Sequence, residues 1–419
     1  MAKKTSRLEG FHKKELEERV ELVKKNSGAD KSLDHLVGEG LSNQKADQMI
    51  ENVVGTYELP VGIATNFKIN NEDFLVPMVI EESSVVAAAS YGAKLARNSG
   101  GFFAKATEPV MISQIQVTGL SDAYSAKLKV LEKKDELMKI AEEQDPVLVK
   151  HGGGVEDVRC RVLKSRFGDY LVVHLLVNCQ DAMGANAVNT MAEAVAPRVE
   201  ELTGGNVYLR ILSNLADQRL ARARAVWDKE EIGRDTVEGV IQAYEFARID
   251  PYRCATHNKG VMNGVTAVVM ATGNDTRAVE AGAHSYAASG GGYSPLTVWE
   301  KTEDGDLAGS IEIPVPVGVI GGATSSHPGA KANLEILGVE SSKELGEVMA
   351  SVGLAQNFAA LRALASEGIQ KGHMRLHAKN VAVQAGAEGD EVEKVAERMI
   401  EKGKIRADMA EKILEELRE

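Results

Sequence analysis

Between residues 109 and 214 the chain carries a strand and helix rhythm that few folds accommodate. Residues 111–117 alternate, Ile115 and Val117 against Gln114 and Gln116, as a half-buried strand does. A charged helix is expected over about 121–143. A second strand follows, in which Val158, Cys160 and Val162 alternate with Arg159 and Arg161. The apolar run 170–177 reads as a third strand, 185–202 as a helix ended by Gly204 and Gly205, and 207–212 as a fourth strand. The order is βαββαβ, the split-βαβ or ferredoxin-like pattern, so the segment reads as a domain inserted into a larger one.

The flanking sequence supports that division, and 419 residues suggest about two to three domains. Leu16, Val20 and Val23 place an amphipathic helix at 12–25, and residues 51–80 turn extended and apolar. Glu81, Glu82, Ser83 and Ser84 then lead into a second helix, which Ser83 or Ser84 can cap. Beyond 215, helices alternate with strands at 297–301 and 308–315, and a helix is expected over about 342–367. The charged stretch 388–419 reads as two helical pieces broken at Lys402, Gly403 and Lys404. The expected fold is α+β. A large mixed α/β domain (1–108 and 215–368) is interrupted by the ferredoxin-like domain (109–214), and a small C-terminal helical flap (369–419) is able to move.

Composition narrows function. With 61 acidic and 49 basic residues the net charge is −12, a poor footprint for nucleic-acid binding. No apolar run approaches the roughly 18 residues of a membrane helix. The three cysteines, Cys160, Cys179 and Cys254, are too few and scattered for a disulfide framework or a CxxC metal site, so a cytoplasmic location is expected.

Several residues have side chains suited to chemistry. Lys259, between Asn258 and Gly260 before the strand-like run 265–270, reads as exposed at a turn. It can act as a Schiff-base nucleophile, a proton donor or a fixed charge for an oxyanion, or be a solvated loop lysine. Asp275 can pair with a lysine or cap a helix. One of Glu81 and Glu82 can face a site as a general acid, or both can complement a helix dipole. His373 and His377 have helical zinc-ligand spacing, but the glutamate of HExxH and a third ligand are missing, so no metal is expected. A histidine on a mobile segment can instead deliver a proton on closure. Residues 181–186 (Asp-Ala-Met-Gly-Ala-Asn) put small residues at a strand-to-helix junction, where free backbone N–H groups can receive a pyrophosphate.

Taken together, the stretches 51–55, 81–84, 181–186, 256–264, 272–275, 321–328 and 372–374 resemble a class II 3-hydroxy-3-methylglutaryl-CoA (HMG-CoA) reductase, in order and over essentially the whole chain. The resemblance implies a homodimer with active sites at the interface, and it leaves room for assembly into a higher oligomer. It implies Glu82, Lys259, Asp275 and His373 as the catalytic set, and Ser84, Arg253 and Asn263 holding the HMG group, with Gln356 towards CoA. The dinucleotide would lie against Asp181, Met183, Gly184 and Asn186, near Asn214. Asp145 matches the ribose-recognition acid, which favours NADH and disfavours, without forbidding, NADPH. Two departures stand out. Ser83 replaces the usual proline, and His12 and Lys13 stand where relatives use an arginine towards CoA.

In such an enzyme Lys259 would stabilise the hemithioacetal oxyanion, held charged by Asp275. His373 would protonate the departing CoA thiolate, and Glu82 would protonate the mevaldehyde oxygen. The same residues serve mevalonate synthesis or, run oxidatively, its catabolism. A CoA- or nucleotide-binding protein without turnover and a Schiff-base lyase are the rivals. The basic stripe Lys371, Arg375 and Lys379, with no acid between 369 and 380, suits a CoA-binding flap in an otherwise acidic chain.

Overall fold

The computed structural model describes residues 5–29, 32–366 and 369–418, apart from the side chains of residues 39 and 366–376. Among them run ten strands: β1 (Val61–Ile69), β2 (Glu72–Val79), β3 (Phe103–Ala106), β4 (Val110–Thr118), β5 (Gly154–Ser165), β6 (Gly168–Asn178), β7 (Asn206–Ser213), β8 (Leu220–Trp227), β9 (Thr297–Lys301) and β10 (Leu307–Pro314). They form three antiparallel sheets within a mixed helix and strand fold.

The extended stretch after residue 51 resolves into a hairpin of β1 and β2. Its two turn residues, Asn70 and Asn71, have φ of 50° and 71°, as a two-residue turn matched to strand twist requires. A second sheet, ordered β3-β8-β10-β9, packs on helix Ser342–Ser366, where Trp227 stacks on Phe358 with ring centroids 4.4 Å apart. Burying a side chain such as Phe358 contributes about 1.5–3 kcal/mol. By length and apolarity Ser342–Ala365 could cross a membrane, and 67% of its most apolar stretch is buried in this fold. The sequence shows no unbroken apolar run there because Ser351, Gln356 and Asn357 interrupt it, and all three are buried.

The third sheet, β5-β6-β4-β7, carries its own core of Met111, Ile115, Val173, Val177, Val188, Met191 and Val195. Strand order and connections are those of a βαββαβ unit. The helix expected over 121–143 is two helices, Ala123–Glu132 and Lys134–Glu142, because Lys133 (φ −108°, ψ 18°) leaves helical geometry. Asp122 starts the first by accepting from the N–H groups of Tyr124 and Ser125.

The largest departure from the sequence reading concerns Lys259. The turn and strand expected around it are one 21-residue helix, Pro251–Ala271. Asp250 caps it, accepting from Arg253 N–H at 2.8 Å, and Pro251 supplies a preset first turn. Gly264 is tolerated mid-helix because helix Ser342–Ser366 passes so close that a Cβ would lie 3.0 Å from Gln356 Cβ and 3.1 Å from the Val352 carbonyl. At the C-terminus, helices Ile369–Gln384, Asp390–Glu401 and Ala407–Arg418 share a small core of Ala378, Val395, Met399 and Ile413. In the basic stripe, Lys379 is paired with Glu393, whereas the side chains of Lys371 and Arg375 lie outside the described residues.

Candidate active site

Two clefts hold most of the candidate residues, and no residue lines both. The first, about 400 Å³, lies between helix Pro251–Ala271, helix Ser342–Ser366 and the junction leading from β2 into helix Val85–Asn98. Helical periodicity brings Arg253, Lys259 and Asn263 to it, Glu82 and Ser84 come from the junction, and Gln356 faces it from the long helix. Lys259 Nζ donates to Glu82 Oε2 at 2.7 Å, and Asn263 Nδ2 approaches the same oxygen at 3.4 Å. Of the two adjacent glutamates it is therefore Glu82 that faces the cleft.

Ser84 occupies the N-cap position at φ 74°, yet its side chain makes no capping hydrogen bond. A non-glycine residue there stores about 1–3 kcal/mol of strain, and its hydroxyl is left for the cleft. Burial holds the Arg253 guanidinium below its usual pKa, and among the described residues no carboxylate pairs with it. Gln356 Oε1 is buried without a hydrogen-bond partner among the described residues. A half-buried arginine beside a lysine–carboxylate pair is able to receive a carboxylate and to stabilise negative charge on a neighbouring oxygen.

The second cleft, about 710 Å³, lies where the βαββαβ unit meets the rest of the chain. Asp145, Met183, Gly184 and Asn186 line it, with Asp275 and Arg277. Gly184, at φ 96°, turns the chain into helix Ala185–Thr203, whose first N–H groups have no side-chain cap. That leaves donors and a positive dipole end facing the cleft, which suits a pyrophosphate. Asp145 Oδ1 accepts from Leu148 N–H at 2.9 Å, capping helix Pro146–Lys150 and leaving Oδ2 to the cleft.

Asp181 and Asn214 do not line it. Asp181 Oδ1 accepts from Ser342 N–H at 2.8 Å, and Asn214 is exposed, its carbonyl against Gly282. Asp275 is the cap of helix Thr276–Ala287 and pairs with Arg277 at 3.1 Å. Burial would raise its carboxyl pKa, but Arg277 and the helix N–H groups outweigh this and hold it below its usual value. The expected pairing of Asp275 with Lys259 is not made within one chain. The twelve helical steps from Lys259 to Ala271 span about 18 Å, and Glu82 is the lysine's partner. His373 falls on helix Ile369–Gln384, but its side chain lies outside the described residues. No group of three or more His, Cys, Asp or Glu placed to hold a metal occurs among the described residues.

Three contributors escape the sequence reading. Arg277 follows the capping Asp275 by two residues, a local signal that could have been read. Asn274 donates to and accepts from the backbone of Gly318, and His257 reaches Thr297. Those partners are 44 and 40 residues away.

Comparison with known proteins bears on these clefts. The chain matches the sequence model of the family described as hydroxymethylglutaryl-coenzyme A reductase over residues 15–378. It is 58% identical over 416 residues to the 3-hydroxy-3-methylglutaryl-coenzyme A reductase of Archaeoglobus fulgidus, covering 99% of this chain and 95% of that one. A solved structure of the Streptococcus pneumoniae reductase superposes with a TM-score of 0.84 at 40% identity, covering 98% of this chain and 99% of the other. Another, a class II reductase from the same organism bound to NADPH in open conformations, gives 0.82 at 41% identity, covering 97% of this chain and 100% of the other.

Proposed function

The chain belongs to the hydroxymethylglutaryl-coenzyme A reductase family, NAD(P)-dependent oxidoreductases of the mevalonate pathway, and from that premise we propose how its own residues divide the work. The carrying observation is the Lys259–Glu82 pair beside a half-buried arginine with no carboxylate partner among the described residues. Arg253 takes the substrate carboxylate, with Ser84 and Asn263 on the remaining oxygens and Gln356 on the CoA side. The nicotinamide dinucleotide supplies hydride, twice per thioester reduced to alcohol.

Lys259 places its ammonium against the oxygen that becomes negative, and Glu82, hydrogen-bonded to it, hands on a proton to the aldehyde oxygen. His373, carried by the C-terminal segment, protonates the leaving CoA thiolate so that it does not add back to mevaldehyde. Asp275 completes the set from a second copy of the chain. A homodimer that sets the cleft of Asp275 against the partner's Lys259 unites groups that one chain keeps apart.

The second cleft holds the dinucleotide, with Met183, Gly184 and Asn186 at the pyrophosphate. Asp145 Oδ2 accepts from the ribose 2′-hydroxyl. A 2′-phosphate would meet that carboxylate, so NADH is preferred, although the Streptococcus pneumoniae neighbour is described with NADPH. In this reading residues 109–214 form the cofactor domain, 1–108 with 215–368 the substrate and dimerisation domain, and 369–419 the flap. The enzyme works in the cytoplasm in the direction of mevalonate.

The test is a count of cofactor oxidised per HMG-CoA consumed, with NADH and NADPH in parallel. Two per thioester supports reduction through to mevalonate, and one would point to an aldehyde product. No oxidation would leave a binding protein, and equal use of NADPH would remove the role given to Asp145.

A further inference from the structure

Arg219 is a buried cation, 5% exposed, in the connection between β7 and β8. Among the described residues no carboxylate bonds to it. Its guanidinium donates instead to three backbone carbonyls, Ala182 at 3.0 Å, Met183 at 3.1 Å, and Val317. Burial pushes its pKa down to about 10, so it remains charged at neutral pH. A buried charge with only neutral acceptors is costly to hold. What it holds is therefore informative.

Two of the acceptors belong to the turn that opens helix Ala185–Thr203. In a trans peptide the carbonyl of one residue and the N–H of the next point in opposite directions. Drawing the Met183 carbonyl inward to Arg219 therefore turns the Gly184 N–H away from it, on the side of the cleft that Gly184 lines. The third acceptor, Val317, precedes Gly318, whose N–H and carbonyl are both clasped by the Asn274 side chain, at 2.8 and 3.0 Å. Gly318 also passes so close to the turn that a Cβ would lie 2.6 Å from Met183 N, and Val319 N–H donates to the Asp181 carbonyl at 2.9 Å. Asn274 is the residue before Asp275. One guanidinium thus ties the helix start on one wall of the cleft to the segment that fixes Asp275 on the other.

We propose that Arg219 is a positioning residue that holds the cofactor-binding helix start and Asp275 in one register across the second cleft. The inference rests on the reading of that cleft as the dinucleotide site. Lysine keeps the charge but lacks the planar fork that reaches carbonyls of two segments at once.

The experiment compares the full-length wild type with Arg219→Lys and Arg219→Ala, and with Asn186→Asp as an independent probe of the cleft. Steady-state rates are measured against NADH, and HMG-CoA binding by calorimetry. Arg219→Lys should lower kcat/KM for NADH about 100-fold, the scale of a roughly 1 Å misplacement of reacting groups, with HMG-CoA affinity unchanged. Added methylguanidinium should restore part of the activity of Arg219→Ala. The proposal is overturned if Arg219→Lys keeps wild-type kcat/KM for NADH, or if HMG-CoA binding falls in parallel, which would mark a merely structural role. Asn186→Asp puts a like charge against the pyrophosphate without breaking the helix start. If it leaves the NADH KM unchanged, the cleft reading fails and the proposal with it. If it raises that KM while Arg219→Lys is neutral, the Arg219 proposal alone fails.

Discussion

Lys259 Nζ and Glu82 Oε2 stand 2.7 Å apart, joining mid-helix to a strand–helix junction 177 residues away in sequence. Both side chains are partly exposed, so the pair adds little to stability. Its chemical consequence is larger. Glu82, not Asp275, keeps the ammonium in place within a chain, and one hydrogen bond joins the two groups.

Removing that ammonium should be felt in the transition state. Lys259→Ala is expected to lower kcat by about 100- to 1,000-fold for both HMG-CoA and mevaldehyde, with KM for either little changed. An equal loss spread over KM would mean that the lysine binds the ground state.

His373 acts on the thiolate alone in the proposed mechanism. His373→Gln should therefore block reduction of HMG-CoA while mevaldehyde, offered directly, is still reduced at close to the wild-type rate. Loss of both reactions to the same extent would refute the assignment.

Asp275 has a structural duty as a helix cap and a proposed catalytic one, and two variants separate them. Asn caps as well as Asp, so Asp275→Asn should keep stability in urea while losing activity, and Asp275→Ala should cost about 1 kcal/mol as well. The folded carboxyl has a pKa below its unfolded value. Its contribution is thus present above the unfolded pKa and fades as pH falls through the lower folded one. The stability gap between wild type and Asp275→Ala should narrow only at that acidic end of a pH series of urea titrations.

Mixed dimers test whether two chains share each site. Lys259→Ala and Asp275→Ala homodimers should each be inactive. If Lys259 of one chain works with Asp275 of the other, co-refolded mixtures recover about a quarter of wild-type activity, since half of the dimers have one intact site. No recovery would place both groups of a site on one chain.

Cofactor choice should turn on charge at Asp145. Asp145→Ser retains a capping oxygen for Leu148 N–H but removes the carboxylate. The ratio of kcat/KM for NADPH over NADH should rise about tenfold, the scale of one like-charge contact in a partly exposed site. An unchanged ratio would mean that the ribose is read elsewhere.

The βαββαβ segment was legible because alternation and capping residues are local, and its strands pair in the order such a unit requires. Lys259 was legible as a chemical group but not as a helical one. Gly260 and Gly264 imitate a turn, and only helix Ser342–Ser366 passing beside Gly264 explains why glycine is needed there. Asp145, Met183, Gly184 and Asn186, grouped in the sequence by the family resemblance, line one cleft, whereas Asp181 turned to Ser342 N–H, a donor 161 residues away.

From the chain alone came the element types outside 251–271, the family resemblance and the identity of the chemical groups, since these depend mostly on neighbours a few residues apart. Tertiary structure decided which groups meet: Lys259 with Glu82 rather than Asp275, and Arg219 with carbonyls of two distant segments. Those choices depend on the length and direction of helices. A helix rises about 1.5 Å per residue, so Lys259 and Asp275, 16 positions apart in the sequence, lie in different clefts, while Glu82, 177 positions before the lysine, is folded against it.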